Sequence, residues 1–172
     1  IAGYTGNLRM EALDRRTMMQ VIEQNADVHF IFWGSYKKND LNLGGINNAE
    51  ADAFIHFLET TENVELRGVV NSEELQEQMK EADLFWLCWK IAVNVLWDGS
   101  NSHKILEYLS TGRPVVAHHV SSYQNTGLLY MLPGRENTGY TELFQQTVEL
   151  VKKGEAKELI SKRLGTAAEK SY

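Results

Sequence analysis

The chain reads as an α/β protein: a three-layer α/β/α sandwich around a parallel sheet of about six strands. Three observations predict it. Short apolar runs alternate with longer helical patterns along the whole chain. The runs Val28-His29-Phe30-Ile31-Phe32-Trp33 and Leu84-Phe85-Trp86-Leu87-Cys88-Trp89 are apolar almost throughout, as strands buried on both faces are. The 172 residues suffice for one domain with a sizeable core and are short for two. Residues 1–172 are therefore expected to form a single domain.

Each element has its own warrant. Residues 1–5 are a short apolar strand closed by Gly6. Apolar positions at Leu13, Met18, Val21 and Ile22 predict a helix over 10–26. Gly34 closes the second strand, and the polar stretch 37–48 with Gly44-Gly45 is a loop. A helix follows over 49–61 and a third strand over 64–70. Asn71 and Glu74 have the spacing of a capping box, with Asn in place of Ser or Thr. The helix they open ends near Ala82, before the fourth strand at 84–89. A loop over 92–100, a short helix, a strand at 115–117, a sixth strand at 128–132 and helices over 142–153 and 157–170 complete the order. Right-handed crossovers then put helices on both faces of the sheet. Ligands of such sheets bind beyond the carboxyl ends of the strands, where the polar loops of this chain follow.

Composition removes several classes of function. Hydrophobic residues make up 43 %, which suits a packed globule. The net charge of -6, with acids and bases mixed, argues against nucleic-acid partners. No apolar run approaches the roughly 18 residues of a membrane span, and no signal peptide is visible. Cys88 is the one cysteine, which excludes a disulfide framework and fits a reducing, cytoplasmic compartment. A metal set is not expected, because the carboxylates are scattered and the adjacent His118 and His119 point to opposite faces of a strand. Ile1 begins inside a strand pattern and Tyr172 ends a charged helical one, so a domain cut from a larger protein is expected.

The most informative stretch is 101–116, Asn-Ser-His-Lys-Ile-Leu-Glu-Tyr-Leu-Ser-Thr-Gly-Arg-Pro-Val-Val. It reads as a loop, a short helix, a tight turn and a buried strand. First-turn amides of a helix lack internal partners and attract phosphate oxygens. Ser100, Asn101, Ser102 and His103 supply small polar groups there, and Lys104 a mobile positive charge. Glu107 lies one turn on along the same side, where a carboxylate can accept from both hydroxyls of a ribose. The set suits a ligand with an anionic end and a hydroxyl-rich middle, such as a nucleotide diphosphate-sugar. The same spacing also suits a plain surface pair of Lys104 with Glu107. Gly3-Tyr4-Thr5-Gly6-Asn7 follows the first strand and could bring backbone close to a ligand. It is neither a dinucleotide fingerprint nor a P-loop. Arg9, Arg15, Arg16 and Lys90 are cations near the same edge.

These residues carry a resemblance. Gly3-Tyr4-Thr5-Gly6-Asn7-Leu8, Phe30-Ile31-Phe32-Trp33-Gly34, Asn63-Val64-Glu65-Leu66-Arg67-Gly68-Val69-Val70, Glu81-Ala82-Asp83-Leu84 and above all 101–116 stand in matching order and spacing. Together they resemble the carboxyl-terminal, donor-binding half of glycosyltransferases of the GT-B fold. The nearest are bacterial group 1 enzymes of polysaccharide assembly. The resemblance implies a Rossmann-like domain. It also implies an intact enzyme that moves a sugar from a nucleotide-diphosphate donor to a hydroxyl acceptor, without metal or cofactor. The acceptor-binding amino-terminal half would be missing from this chain, which alone would bind donor without transferring sugar. The intact enzyme could work in the cytoplasm or peripherally at the inner face of the membrane.

Roles follow from the same resemblance. Glu107 matches the ribose-binding glutamate. Lys104 and the turn before it (Ser100, Asn101, Ser102, His103) match the region facing the diphosphate. Gly6 and Asn7 match the loop beside the sugar phosphate, and Val69 and Val70 the place of the base. Lys104 and Arg9 are the donor-side catalytic candidates; Lys90, by its place after the fourth strand rather than by the resemblance, is a further candidate anion contact or a plain exposed lysine. The chain also departs from the pattern. Gly99, beside Asp98, stands where many relatives have a second acid, and Asn7 where many have an arginine. A lysine common a few residues later falls near Ala12. Arg9, Arg15, Arg16 or Lys90 could substitute. Half of a sugar-nucleotide epimerase, using His118 or His119, is an alternative, as is a degenerate binding or scaffold domain. A phospho-acceptor receiver would need acids where Thr5-Gly6 and Val70-Asn71 stand.

Overall fold

The computed structural model describes residues 1–39, 45–90 and 103–170. Six strands, β1 (Ala2–Thr5), β2 (Phe30–Trp33), β3 (Val64–Gly68), β4 (Leu84–Leu87), β5 (Val115–Ala117) and β6 (Tyr130–Met131), alternate with six helices. The helices are α1 (Arg15–Gln24), α2 (Ala49–Thr60), α3 (Ser72–Met79), α4 (His103–Leu109), α5 (Tyr140–Lys153) and α6 (Lys157–Lys170). A 3₁₀ turn at Ser121–Tyr123 stands between β5 and β6. The strands form one parallel sheet in the order β3-β2-β1-β4-β5-β6. This is the Rossmann-like architecture expected of one GT-B half. The order reverses between β1 and β4, so the crevice that such sheets offer to ligands opens beyond their carboxyl ends.

Alternation along the strands divides the core in two. On one face Phe30, Phe32 and Trp86 meet Phe144 of α5, with Phe30 and Phe144 stacked at 5.7 Å. On the other, Phe85 stacks on Tyr108 of α4 at 4.6 Å, and Trp33 Nε1 donates to Gln78 Oε1 of α3 at 2.7 Å. Such buried aromatic pairs add roughly 0.5–1.5 kcal/mol each beyond their area. α6 packs on α4, and its Arg163 is buried and donates to the Gly112 and Leu128 carbonyls and to the Glu155 carboxylate.

Several elements are shorter than the sequence pattern suggested, while α5 begins two residues earlier, at Tyr140. α1 starts at Arg15 rather than near Met10. The preceding backbone is held by β4's exit: Asp14 N–H donates to the Cys88 carbonyl and Lys90 N–H to the Ala12 carbonyl, at 2.9 and 2.8 Å. Asp14 then caps the helix through Thr17 N–H. The third strand stops at Gly68, whose φ is +71°, and Val69-Val70 leave the sheet. Asn71 caps α3 as its spacing implied, accepting from Glu74 N–H at 2.9 Å.

Candidate functional site

The site is built where β1 ends against α4. Thr5 N–H donates to the Tyr108 hydroxyl at 2.8 Å, and Thr5 Oγ1 donates to it at 3.2 Å. One turn earlier on α4, the Lys104 ammonium donates to the Thr5 carbonyl and sits 4.8 Å from the centre of the Tyr4 ring. Two residues of one helix thus grip the last peptide of one strand. Burial pushes the Lys104 amine down to about 8, and the Glu107 carboxylate partly opposes that shift. Burial also raises the Tyr4 and Tyr108 phenols, which stay neutral.

Two glycines form the floor. Gly6 ends β1 with φ +133° and Gly34 ends β2 with φ +130°. A Cβ at Gly34 would collide with the Gly6 carbonyl, so the two backbones lie in direct contact. A Cβ at Gly6 would occupy the position of the Lys104 ammonium. Gly6 is needed first to seat a side chain of this chain.

Above this floor opens a cavity of about 400 Å³. Its polar wall is His103, Lys104 and Glu107 from α4. Its apolar wall is Trp33, Val69, Val70 and Leu75, from the ends of β2 and β3 and from α3. Val69 is 69 % exposed, a large aliphatic side chain held at the cavity rim. Gly6, Val69, Val70, His103, Lys104 and Glu107 are therefore brought together. Lys104 and Glu107 open on the same space.

Other candidates stand elsewhere. Asn7 and Arg9 border a separate hollow of about 40 Å³ with Ser35, Lys37 and Gly45. Arg9 is buried, donating to the Tyr36 carbonyl at 2.7 Å and to Asp52 at 2.8 Å. Its guanidinium ties the loop after β1 to α2 and holds the Asp52 carboxyl below its usual range, together with Lys38. Lys90 is exposed, three residues beyond the end of β4. Ser100, Asn101 and Ser102, with Trp97, Asp98 and Gly99, lie outside the described residues. Arg15 is buried under α2, its guanidinium 5.8 Å from the Phe54 ring, and Arg16 is exposed. His118 and His119 are buried and bonded to backbone: His118 Nδ1 accepts from Trp89 N–H at 3.3 Å, and His119 Nδ1 lies 3.1 Å from the Leu132 carbonyl. Neither borders the cavity. Among the described residues no three His, Cys, Asp or Glu side chains converge as a metal site would require, and no helix is long and apolar enough to cross a membrane.

Sequence reasoning passed over Trp33, Gly34, Leu75 and Tyr108. Gly34 had a signal, since it closes β2 as Gly6 closes β1. Tyr108 had none, because its partner lies 103 residues away. In comparisons with known proteins, the family model described as glycosyl transferases group 1 matches residues 2–160. No curated protein matches the chain.

Proposed function

Because the chain belongs to the group 1 glycosyltransferases, we propose that the cavity beside Lys104 and Glu107 holds the nucleoside diphosphate of a sugar donor. The chain is then the donor-binding half of an enzyme that transfers a sugar to a hydroxyl acceptor in polysaccharide or glycan assembly. One observation carries this reading. A carboxylate and an ammonium one helical turn apart open on a single space whose opposite wall is apolar.

Each wall has a task. Glu107 accepts hydrogen bonds from the ribose hydroxyls. The base rests on Val69, Val70 and Leu75. The diphosphate lies over Gly6 and Gly34, within reach of Lys104. As the bond from the anomeric carbon to the phosphate oxygen breaks, negative charge grows on the departing diphosphate. An ammonium fixed beforehand beside that oxygen stabilises it with little reorganisation. Lys104 is fixed by Thr5 and Tyr4. His103 is a further contact at the rim. Arg9, spent on Tyr36 and Asp52, serves by holding the loop after β1 in shape. The acceptor, and any base that activates it, belong to a partner half, so this chain alone binds donor weakly and transfers nothing.

Calorimetric titration with UDP, GDP and their sugars tests the proposal. At least one nucleotide binds, and Glu107→Ala weakens it by about 1–3 kcal/mol through lost charge-assisted bonds. Silence with every nucleotide, or an affinity untouched by Glu107→Ala, refutes it.

A further inference from the structure

Glu107 borders a second hollow as well. On its far side a groove of about 460 Å³ runs between α3 and α4, larger than the cavity just described. Leu75 and Glu107 line both spaces. Leu75 and Met79 supply the groove's apolar lining; Ser72, Gln76 and Ser110 add polar groups. Two cations, Lys80 and Arg113, complete it. Lys80 follows the last turn of α3, and Arg113 follows the turn that ends α4. That puts them at the end of each helix away from the strand tips.

Both cations are available. Arg113 is exposed, and its guanidinium has no partner among the described residues. Lys80 pairs with Glu77 at 2.5 Å, but with side chains 70 % and 74 % exposed the pair is worth little and gives way to a better anion. The groove's own lining therefore carries two cations and the carboxylate of Glu107, with Glu77 on Lys80 at its margin and hydroxyl and amide groups between them. That chemistry fits a phosphoryl group on a hydroxyl-rich carrier.

We propose that the α3–α4 groove is a phosphoryl subsite adjoining the donor cavity, with Lys80 and Arg113 as its cations. Two carriers would bring the phosphoryl group there. One is a nucleotide phosphorylated on a ribose hydroxyl, its other hydroxyl left to Glu107; this form rests on the donor reading above. The other is a separate sugar phosphate seated beside Glu107. Either ligand would compete with or modulate donor binding through the residues the two spaces share.

Titration of the chain and of its Lys80→Ala/Arg113→Ala variant decides the matter. The probes are uridine, guanosine and adenosine 5′-diphosphates, their 3′-phosphorylated counterparts, and glucose 6-phosphate. At least one phosphorylated probe is expected to lose about tenfold or more in affinity in the variant, while the plain 5′-diphosphates stay within about twofold. Loss confined to a 3′-phosphorylated nucleotide places the group on the ribose, and loss with glucose 6-phosphate places it on a separate ligand. If the plain 5′-diphosphates are silent and glucose 6-phosphate still responds, the donor reading fails and the groove stands. Phosphorylated probes that bind neither protein, or both equally, overturn the proposal. Both replaced side chains are exposed, so an unchanged thermal midpoint certifies the variant's fold.

Discussion

α3 and α4 face each other across the cavity and are held by different means. α4 buries Ile105, Tyr108 and Leu109, packs against α6, stacks Tyr108 on Phe85 and is pinned twice to Thr5. α3 buries only Met79. Leu75 is half-buried against the core, and the remaining ties are local or polar: the Asn71 cap, Glu73 and Glu74 in the first turn, and Gln78 accepting from Trp33 at 2.7 Å and Arg67 at 3.3 Å. The charged groups that need fixed geometry, Lys104 and Glu107, sit on the rigid wall. Leu75, which offers only apolar contact, sits on the wall that can adjust. Low-stability elements commonly border binding sites because they must yield to a ligand, while charge needs preorganisation to be effective.

The largest effect that would break this contrast is expected at the floor on which α4 rests. Gly34→Ala puts a methyl into the Gly6 carbonyl at a φ of +130°. Backbone cannot move aside as a side chain can, so strain and overpacking together cost about 3 kcal/mol or more in urea unfolding. Wild-type stability in that variant would show that the two glycines are not in contact.

A smaller change removes one pin. Tyr108→Phe leaves the buried Thr5 N–H without its acceptor, at a cost of about 1–3 kcal/mol. Amide exchange in α4 should then rise toward that of α3. If α4 stays as protected as before, packing alone holds it and the pin is incidental.

The smallest effect is on pH. With its amine pushed down to about 8, Lys104 loses its charge as pH rises through that value. Nucleoside diphosphate affinity should fall several-fold between about pH 7 and about pH 9.5, and Lys104→Met should bind weakly with no such fall. The linkage to folding has the opposite sign. Between about 8 and the ordinary lysine value of 10.5 the folded chain binds fewer protons than the unfolded one, so stability rises with pH there. A pH-independent affinity in the unmodified chain would remove Lys104 from the diphosphate.

Much of the fold was legible because its signals are local. Runs such as Phe30–Trp33 and Leu84–Leu87 announce strands buried on both faces, and Asn71 with Glu74 announces a helix start. Lys104 and Glu107 could be paired by eye because one helical turn separates them. Contacts between distant residues were not legible. Arg9 looked like an anion contact until Asp52, 43 residues later, claimed it. Leu13 looked helical, but it bridges to Trp89 just beyond β4, and α1 starts only at Arg15. Gly6 was legible as special, but not the ammonium it accommodates, which comes from 98 positions away.

The central claim is that one cavity, walled by α4 on its charged side and by Val69, Val70 and Leu75 on its apolar side, receives a nucleoside diphosphate. Amide chemical-shift mapping during titration with UDP or GDP tests it most directly. The account predicts shifts gathered at Gly6, Gly34, Val69, Val70 and His103 through Glu107. Shifts confined to the hollow at Asn7, Lys37 and Gly45, or none with either nucleotide, would contradict it.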